Sequence, residues 1–262
     1  MTDTLRPMTL GELLDRTFLL YREHFMLFVG LIALPHLALL AIQLAGVVLG
    51  RQSTASMLLM VPITTLAYLL VVAVSQGATV IAVSRLHLGR EASISSSFAG
   101  LEGRIATISL LMMRVSIYIA VGLLLLIVPG VLMALKWSLA IPVVVLEQTA
   151  GSATLSRSAA LTEGCRLRIL AIYFLFLVLT YIFYSLWEIP ILLAAGVFTQ
   201  RGLAAGVPAW TQIALPVGGF LTQSLIGPLL TIALSLEYYD QRVRKEAFDL
   251  IHMMSLLDET TT

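Results

Sequence analysis

Long unbroken runs of apolar residues alternate along this chain with shorter segments in which polar and apolar positions recur at helical spacing. Six runs, at about 26–49, 57–83, 105–128, 131–146, 168–195 and 212–236, meet or approach the roughly 20 residues that cross ~30 Å of hydrocarbon. Inside a bilayer the backbone has to satisfy its own polar groups, which leaves helices or a closed barrel. Barrel strands would alternate over about ten residues, and these runs are too long and too continuous for that. The expected fold is all-α, an integral membrane bundle of six transmembrane helices forming a single membrane domain over residues 1–262.

The intervening segments carry a second pattern. In the first, Leu10, Leu13, Leu14, Phe18 and Tyr21 line one face of a helix with Glu12, Asp15, Arg16 and Arg22 opposite, and Thr9 with Glu12 forms a capping box. The second repeats the period through Ile94, Phe98, Leu101 and Ile105, with Ser93 or Ser95 as cap; the third, around Leu155 and Ala159, is weaker. A fourth follows the last span, with Tyr239, Val243, Ala247, Leu250, Met254 and Leu257 on one side. These predict amphipathic interfacial helices at about 9–24, 92–103, 152–165 and 238–257, lying on the cytoplasmic face. The first three each open onto a pair of spans, so the chain reads as one interfacial helix plus transmembrane hairpin used three times. Glu102-Gly103-Arg104 against Glu163-Gly164-Cys165-Arg166 is the one residue-level echo.

Composition agrees: 59% of residues are hydrophobic, 12% are charged and the mean hydropathy is +0.96, against roughly 25% charged residues in soluble domains. The placement of charge sets the orientation. Arg6, Arg16 and Arg22 precede the first span, Arg85, Arg90 and Arg104 follow the second, Arg157, Arg166 and Arg168 follow the fourth, and Arg242, Arg244 and Lys245 follow the sixth. These are twelve of the 16 Lys and Arg; the opposite loops hold Arg51 and Arg201, and the turn at Pro129-Gly130 holds none. The positive-inside rule then puts both termini in the cytoplasm. The first apolar run lacks a small-residue cleavage site and reads as a retained span. The net charge of +1 gives no reason to expect nucleic acid, and the lone Cys165 makes neither an intramolecular disulfide nor a Cys-rich metal site.

Several motifs carry a resemblance: Arg6-Pro7-Met8-Thr9-Leu10-Gly11-Glu12 followed by Leu14-Asp15-Arg16, Pro129-Gly130, Trp137-Ser138-Leu139-Ala140-Ile141-Pro142 closing on Glu147, Arg157-Ser158, and Tyr238-Tyr239-Asp240-Gln241-Arg242-Val243-Arg244-Lys245-Glu246. In that order they resemble the bacterial membrane-domain family named after the membrane portion of some glycerophosphoryl diester phosphodiesterases. The resemblance implies a six-helix membrane domain in a bacterial inner membrane, sometimes fused to the enzyme; this chain has no room for that metal-binding barrel. Ala247 stands where the family ending has glycine, and alanine favours a continuous helix.

Ionisable residues inside spans are costly and are the first place to look for function. Arg114, nine residues into the third span, either snorkels to the interface or pairs with Glu147. Lys136, six residues beyond the expected Pro129-Gly130 turn, and Glu188, about twenty residues into the fifth span, both fall in the outer half of the bilayer; they either form an ion pair or reach the interface separately. His36, beside Pro35, reads as a packing residue, since no other histidine approaches it in sequence and no HExxH spacing occurs. Arg85, Arg90, Arg157, Arg166, Arg168, Arg242, Arg244 and Lys245 form a basic inner rim that serves orientation and would also attract anionic headgroups. There is no GxSxG, Walker or GxGxxG motif, so neither catalysis nor a cofactor is expected.

The expected function is that of a non-enzymatic accessory or scaffold protein binding membrane lipids or another membrane protein. The alternative is a transporter with a polar site at Lys136 and Glu188. A water-accessible cavity lined by Lys136, Glu188, Gln76 or Gln223 favours the second; an apolar side groove with a basic rim favours the first.

Overall fold

The computed structural model describes residues 7–48, 54–196 and 208–260, with side-chain environments given except at 48, 54–60 and 247–260. Arg6, Arg51 and Arg201 of the charge count, and the side chains of Ala247, Leu250, Met254 and Leu257, lie outside what is described.

The described residues are helical throughout, with no strand: α1 Leu10–Glu23, α2 Phe25–Val48, α3 Thr54–His87, α4 Ile94–Ala99, α5 Ile105–Leu125, α6 Ile127–Lys136, α7 Ala140–Leu146, α8 Ser152–Thr162, α9 Arg166–Ala194 and α10 Thr211–Thr260. Six segments are long and apolar enough to cross a membrane: Phe25–Val47, Val61–His87, Ile105–Leu125, Ile127–Leu146, Arg166–Ala194 and Thr211–Glu246. Their outer faces carry exposed apolar side chains, among them Leu124 at 87% and Tyr181 at 71%, as helices facing lipid must. The fold is a six-span, all-α bundle, and the protein is a multi-pass membrane protein.

Proline chemistry places the breaks that the hydropathy run hides. A proline ring clashes with the carbonyl four residues earlier. Pro129 therefore ends α5 at Leu125, and Leu126 turns extended (φ −160°, ψ 143°), so the hairpin bends there and not at Pro129-Gly130, which sit inside α6. The two helices close tightly at this joint, where a Cβ on Gly122 would meet the Gly130 Cα at 2.9 Å. Pro142 acts likewise on Ser138, splitting the fourth span into α6 and α7 around Trp137 to Leu139. The break frees the Lys136 carbonyl, which accepts from the Ser158 and Thr162 hydroxyls of α8 at 3.2 and 3.1 Å.

The short helices pack into the bundle. Thr9 and Glu12 form the expected capping box of α1, with the Thr9 N–H donating to Glu12 Oε2 at 2.7 Å. Leu13 and Thr17 are fully buried, while Phe18 and Leu19 stay exposed. The Met8 N–H donates to Asp240 Oδ1 at 2.6 Å and the Tyr21 hydroxyl to the Leu225 carbonyl at 2.6 Å, so α1 touches α10 at points about 22 Å apart along that helix. Ser93 caps α4, which is only 6 residues long, and α8 buries Thr154, Leu155, Ser158, Leu161 and Thr162. A short helix followed by two spans recurs three times, and Gly103 (φ +74°) and Gly164 (φ +81°) make the same left-handed joint before α5 and α9. The expected separate helix at 238–257 does not exist: no Gly or Pro follows Pro228, and α10 runs unbroken for 50 residues.

Candidate functional site

Of the two alternatives open for each intramembrane group, pairing is not the one formed. Arg114 lies over the Tyr118 ring at 6.0 Å, while Glu147, the C-cap of α7, takes Arg157 Nε at 3.0 Å and the Tyr238 hydroxyl at 2.9 Å. Lys136 packs its ammonium 5.8 Å from the Trp137 ring, and neither it nor Glu188 has an ion-pair partner among the described residues. The displaced turn explains this. Lys136 stands ten residues beyond Leu126 and not six beyond Gly130, which carries it toward α8. Trp137 lines a cavity with Leu230 to Leu234 of α10, whereas Trp187, next to Glu188, meets α10 at Gly218. The two sites are thus separated by at least a dozen residues of α10, about 18 Å.

Five members of the expected basic rim are instead spent inside the protein. Arg168 sits between two buried carboxylates, with Nε 2.9 Å from Glu237 Oε2 and Nη1 3.0 Å from Asp240 Oδ2. Arg244 contacts Asp240 at 2.8 Å and donates to the Met8 carbonyl, to which Arg168 also donates. Arg157 bridges Glu147 and Glu246, Arg242 pairs with Glu246 at 2.9 Å, and Lys245 donates to the Ala160 and Glu163 carbonyls, closing the C-terminal end of α8. Arg85, Arg90 and Arg166 make no ion pair among the described residues. The network ties α1, α7, α8 and α9 to one stretch of α10. Its carboxylates, Glu237 at 0% and Asp240 at 3% exposure, were not singled out from the sequence. The signal was available: two acidic residues three apart at the end of an apolar run share a helix face.

Two groups near this network show its electrostatics. Burial works against the charge of Arg157, but the Glu246 and Glu147 carboxylates outweigh it and push its pKa up. The Cys165 thiol is pushed up to about 11, by burial first and by the Glu237 carboxylate second. Its Sγ donates weakly to the Leu161 and Thr162 carbonyls at the end of α8, as a small residue at the joint with α9.

Three adjoining cavities follow α10. The first, about 290 Å³, lies between Trp137, Met112, Tyr173 and Leu234. Through Gln76, Tyr173 and Leu230 it meets the second, a groove of about 550 Å³ between α9 and α10 that also carries Thr180, Tyr181, Tyr184, Glu188 and Gln223. Through Tyr184 and Gln223 the groove meets the third, about 210 Å³, lined by His36, Gln43, Tyr68 and Pro216 among others. From Leu215 to Leu234 the string follows nearly 20 residues of helix, about 28 Å. Its walls are mainly apolar, and the polar side chains of Gln43, Tyr68, Gln76, Tyr184, Glu188 and Gln223 make no hydrogen bond among the described residues. Three of the four residues expected around a polar cavity, Glu188, Gln76 and Gln223, line the groove; Lys136 does not. Among the described residues no group of three His, Cys, Asp or Glu side chains is gathered to hold a metal ion.

Fold and groove define a multi-pass membrane protein with a side-opening, mainly apolar cleft. No protein-family model matches the chain, and no curated protein or solved structure does so either.

Proposed function

We propose that this is a non-enzymatic accessory or scaffold protein that holds a membrane lipid in the groove between α9 and α10. The observation that carries this reading is the groove's shape and lining. It is long enough for an acyl chain, open toward the lipid at Tyr181 and Glu188, and apolar except for unpaired side chains at intervals. A passage for a small polar solute needs continuous polar lining, because each unmet polar group in hydrocarbon is costly. The separation of Lys136 from Glu188 removes half of the polar site that the transport reading used. Transport keeps one supporting observation, the line of Gln76, Glu188 and Gln223.

The charge asymmetry of the loops supports cytoplasmic termini, with the Arg168 network at the cytoplasmic end of α10, and the motif resemblance supports a bacterial inner-membrane location. The motif resemblance to the phosphodiesterase membrane-domain family supports the same non-enzymatic reading. Another membrane protein seated on the exposed apolar faces is a further partner compatible with a scaffold.

Native mass spectrometry from mild detergent tests the proposal, comparing wild type with Thr180→Trp, which fills the groove from its half-buried wall, and Lys136→Ala, which leaves it alone. Wild type and Lys136→Ala retain a defined lipid, and Thr180→Trp loses most of it. Retention by all three, or by none, overturns the proposal, and a small polar solute held only by wild type and Lys136→Ala puts transport in its place.

A further inference from the structure

The cavity at the end of the groove has a polar character that the apolar groove does not explain. His36 is 5% exposed, and its Nδ1 lies 2.8 Å from the Ile32 carbonyl, which assigns the proton to Nδ1. Ser75 Oγ, on α3, is on the same side of the ring, 3.4 Å from Nδ1. The opposite nitrogen, Nε2, is then a bare acceptor, and it has no hydrogen-bond partner among the described residues although it is buried. A buried acceptor without a donor costs free energy comparable to a lost hydrogen bond, so its retention calls for a donor from outside the chain. The ring lines the cavity, together with Gln43, Tyr68, Tyr184 and Gln223.

All these side chains are neutral and can both donate and accept, except His36, which in this tautomer has only an acceptor left unpaired. Among the described residues no Lys or Arg lines this cavity or the groove that joins it, and the charged residue lining the groove, Glu188, is an acid. A phosphate or other anion placed here would be desolvated with no cation among those residues to meet it and a carboxylate beside it, which disfavours it. A hydroxyl suits every position: it donates to His36 Nε2 and accepts from a glutamine amide or tyrosine hydroxyl. The volume of about 210 Å³ holds a three-carbon polyol with room for water, and the cavity continues into the acyl-sized groove through Tyr184 and Gln223.

We infer that the His36 cavity receives the hydroxyl-bearing head of a neutral, phosphate-free lipid of the diacylglycerol class, whose chain lies in the α9–α10 groove. The inference rests on the lipid-binding reading and adds the identity of the head. His36 is eleven residues into α2 and Gln43 eighteen, so the head lies in the half of the bilayer toward the α2 C-terminus.

The test uses the full chain in nanodiscs containing trace diacylglycerol or phosphatidylglycerol with the same photoactivatable acyl chain, with crosslinks mapped by peptide. Wild type is labelled by diacylglycerol on α9 and α10 at least tenfold more than by phosphatidylglycerol. His36→Leu brings diacylglycerol labelling down to the phosphatidylglycerol level. So does Gln43→Leu, which changes an exposed side chain and leaves the core alone. Equal labelling of the groove by both lipids, or wild-type selectivity in folded Gln43→Leu and His36→Leu, overturns the head assignment and leaves the groove standing. No crosslink on α9 or α10 from either lipid overturns the groove reading as well.

Discussion

Arg168 shows how one residue's role depends on partners that no local pattern reveals. As part of a cluster with Arg157 and Arg166 it reads as one more positive charge holding a loop on one side of the membrane. In the fold its guanidinium is the one cation paired with Glu237 among the described residues, and it shares Asp240 with Arg244. Removing one partner of a buried ion pair leaves an uncompensated charge, at a cost on the order of 3–5 kcal/mol, while an exposed pair is worth under about 1 kcal/mol. Arg168→Ala is therefore expected to lower thermal stability in detergent sharply. Arg244→Ala, whose side chain is 38% exposed, changes it little. Equal melting shifts measured by temperature-ramped size exclusion would show that the Arg168 contacts are not the stabilising ones. The same logic explains why pairing with Glu147, one of the two alternatives for Arg114, does not occur. Depth along a span says which residues share a level, but the Glu147 partners come from elsewhere: Arg157 on α8, ten residues on, and Tyr238 on α10, 91 residues on.

At the scale of elements, what was legible followed from rules that act locally. The Thr9–Glu12 capping box and the six apolar runs are both short-range signals, and both are present. The turn at Leu126 and the break at Trp137 to Leu139 also have local causes, but a proline acts on the carbonyl four residues earlier, so the break precedes the residue that catches the eye. The continuity of α10 was hidden because its character changes from apolar to amphipathic without any breaker, and a change of solvent exposure reads like a change of element. The burial of α8 was hidden because its inward face is built from Thr154, Ser158 and Thr162, which look like solvent-facing residues until the freed Lys136 carbonyl is placed against them.

The joint between α1 and α10 carries a pH dependence with a definite sign. Burial pushes the Tyr21 phenol up to about 12, against about 10 for an unfolded tyrosine. Between those values the folded chain holds a proton that the unfolded chain has lost, so stability is whole below about pH 10 and falls as the pH rises toward 12. Tyr21→Phe loses the hydrogen bond to Leu225, worth about 1 kcal/mol, and with it this source of slope. Parallel unfolding curves for wild type and Tyr21→Phe from pH 9.5 to 11.5 would exclude Tyr21 as a source of the alkaline loss.

For the whole molecule the open structural question is orientation, because helices that are long and apolar enough to span do not say which end faces the cytoplasm. The proposed orientation rests on the alternation of basic segments, through the cost of moving Lys and Arg across the membrane during insertion. It is also robust to the corrections above: moving the third turn from Gly130 to Leu126 leaves every counted arginine on its own side. The chemistry of Cys165 makes the test clean. With its thiol pushed up to about 11, only about a thousandth is thiolate at pH 8, so the single native cysteine is nearly silent toward maleimides. New cysteines at exposed positions can then be read against that background, Arg90→Cys after α3 and Ala209→Cys before α10. In intact cells a membrane-impermeant maleimide should label Ala209→Cys at once and Arg90→Cys only after the membrane is permeabilised. The reverse order would invert the protein, put the Arg168 network on the outer side and place the head of the bound lipid in the inner leaflet, whereas the expected order places that head in the outer leaflet, away from the cytoplasmic charge network.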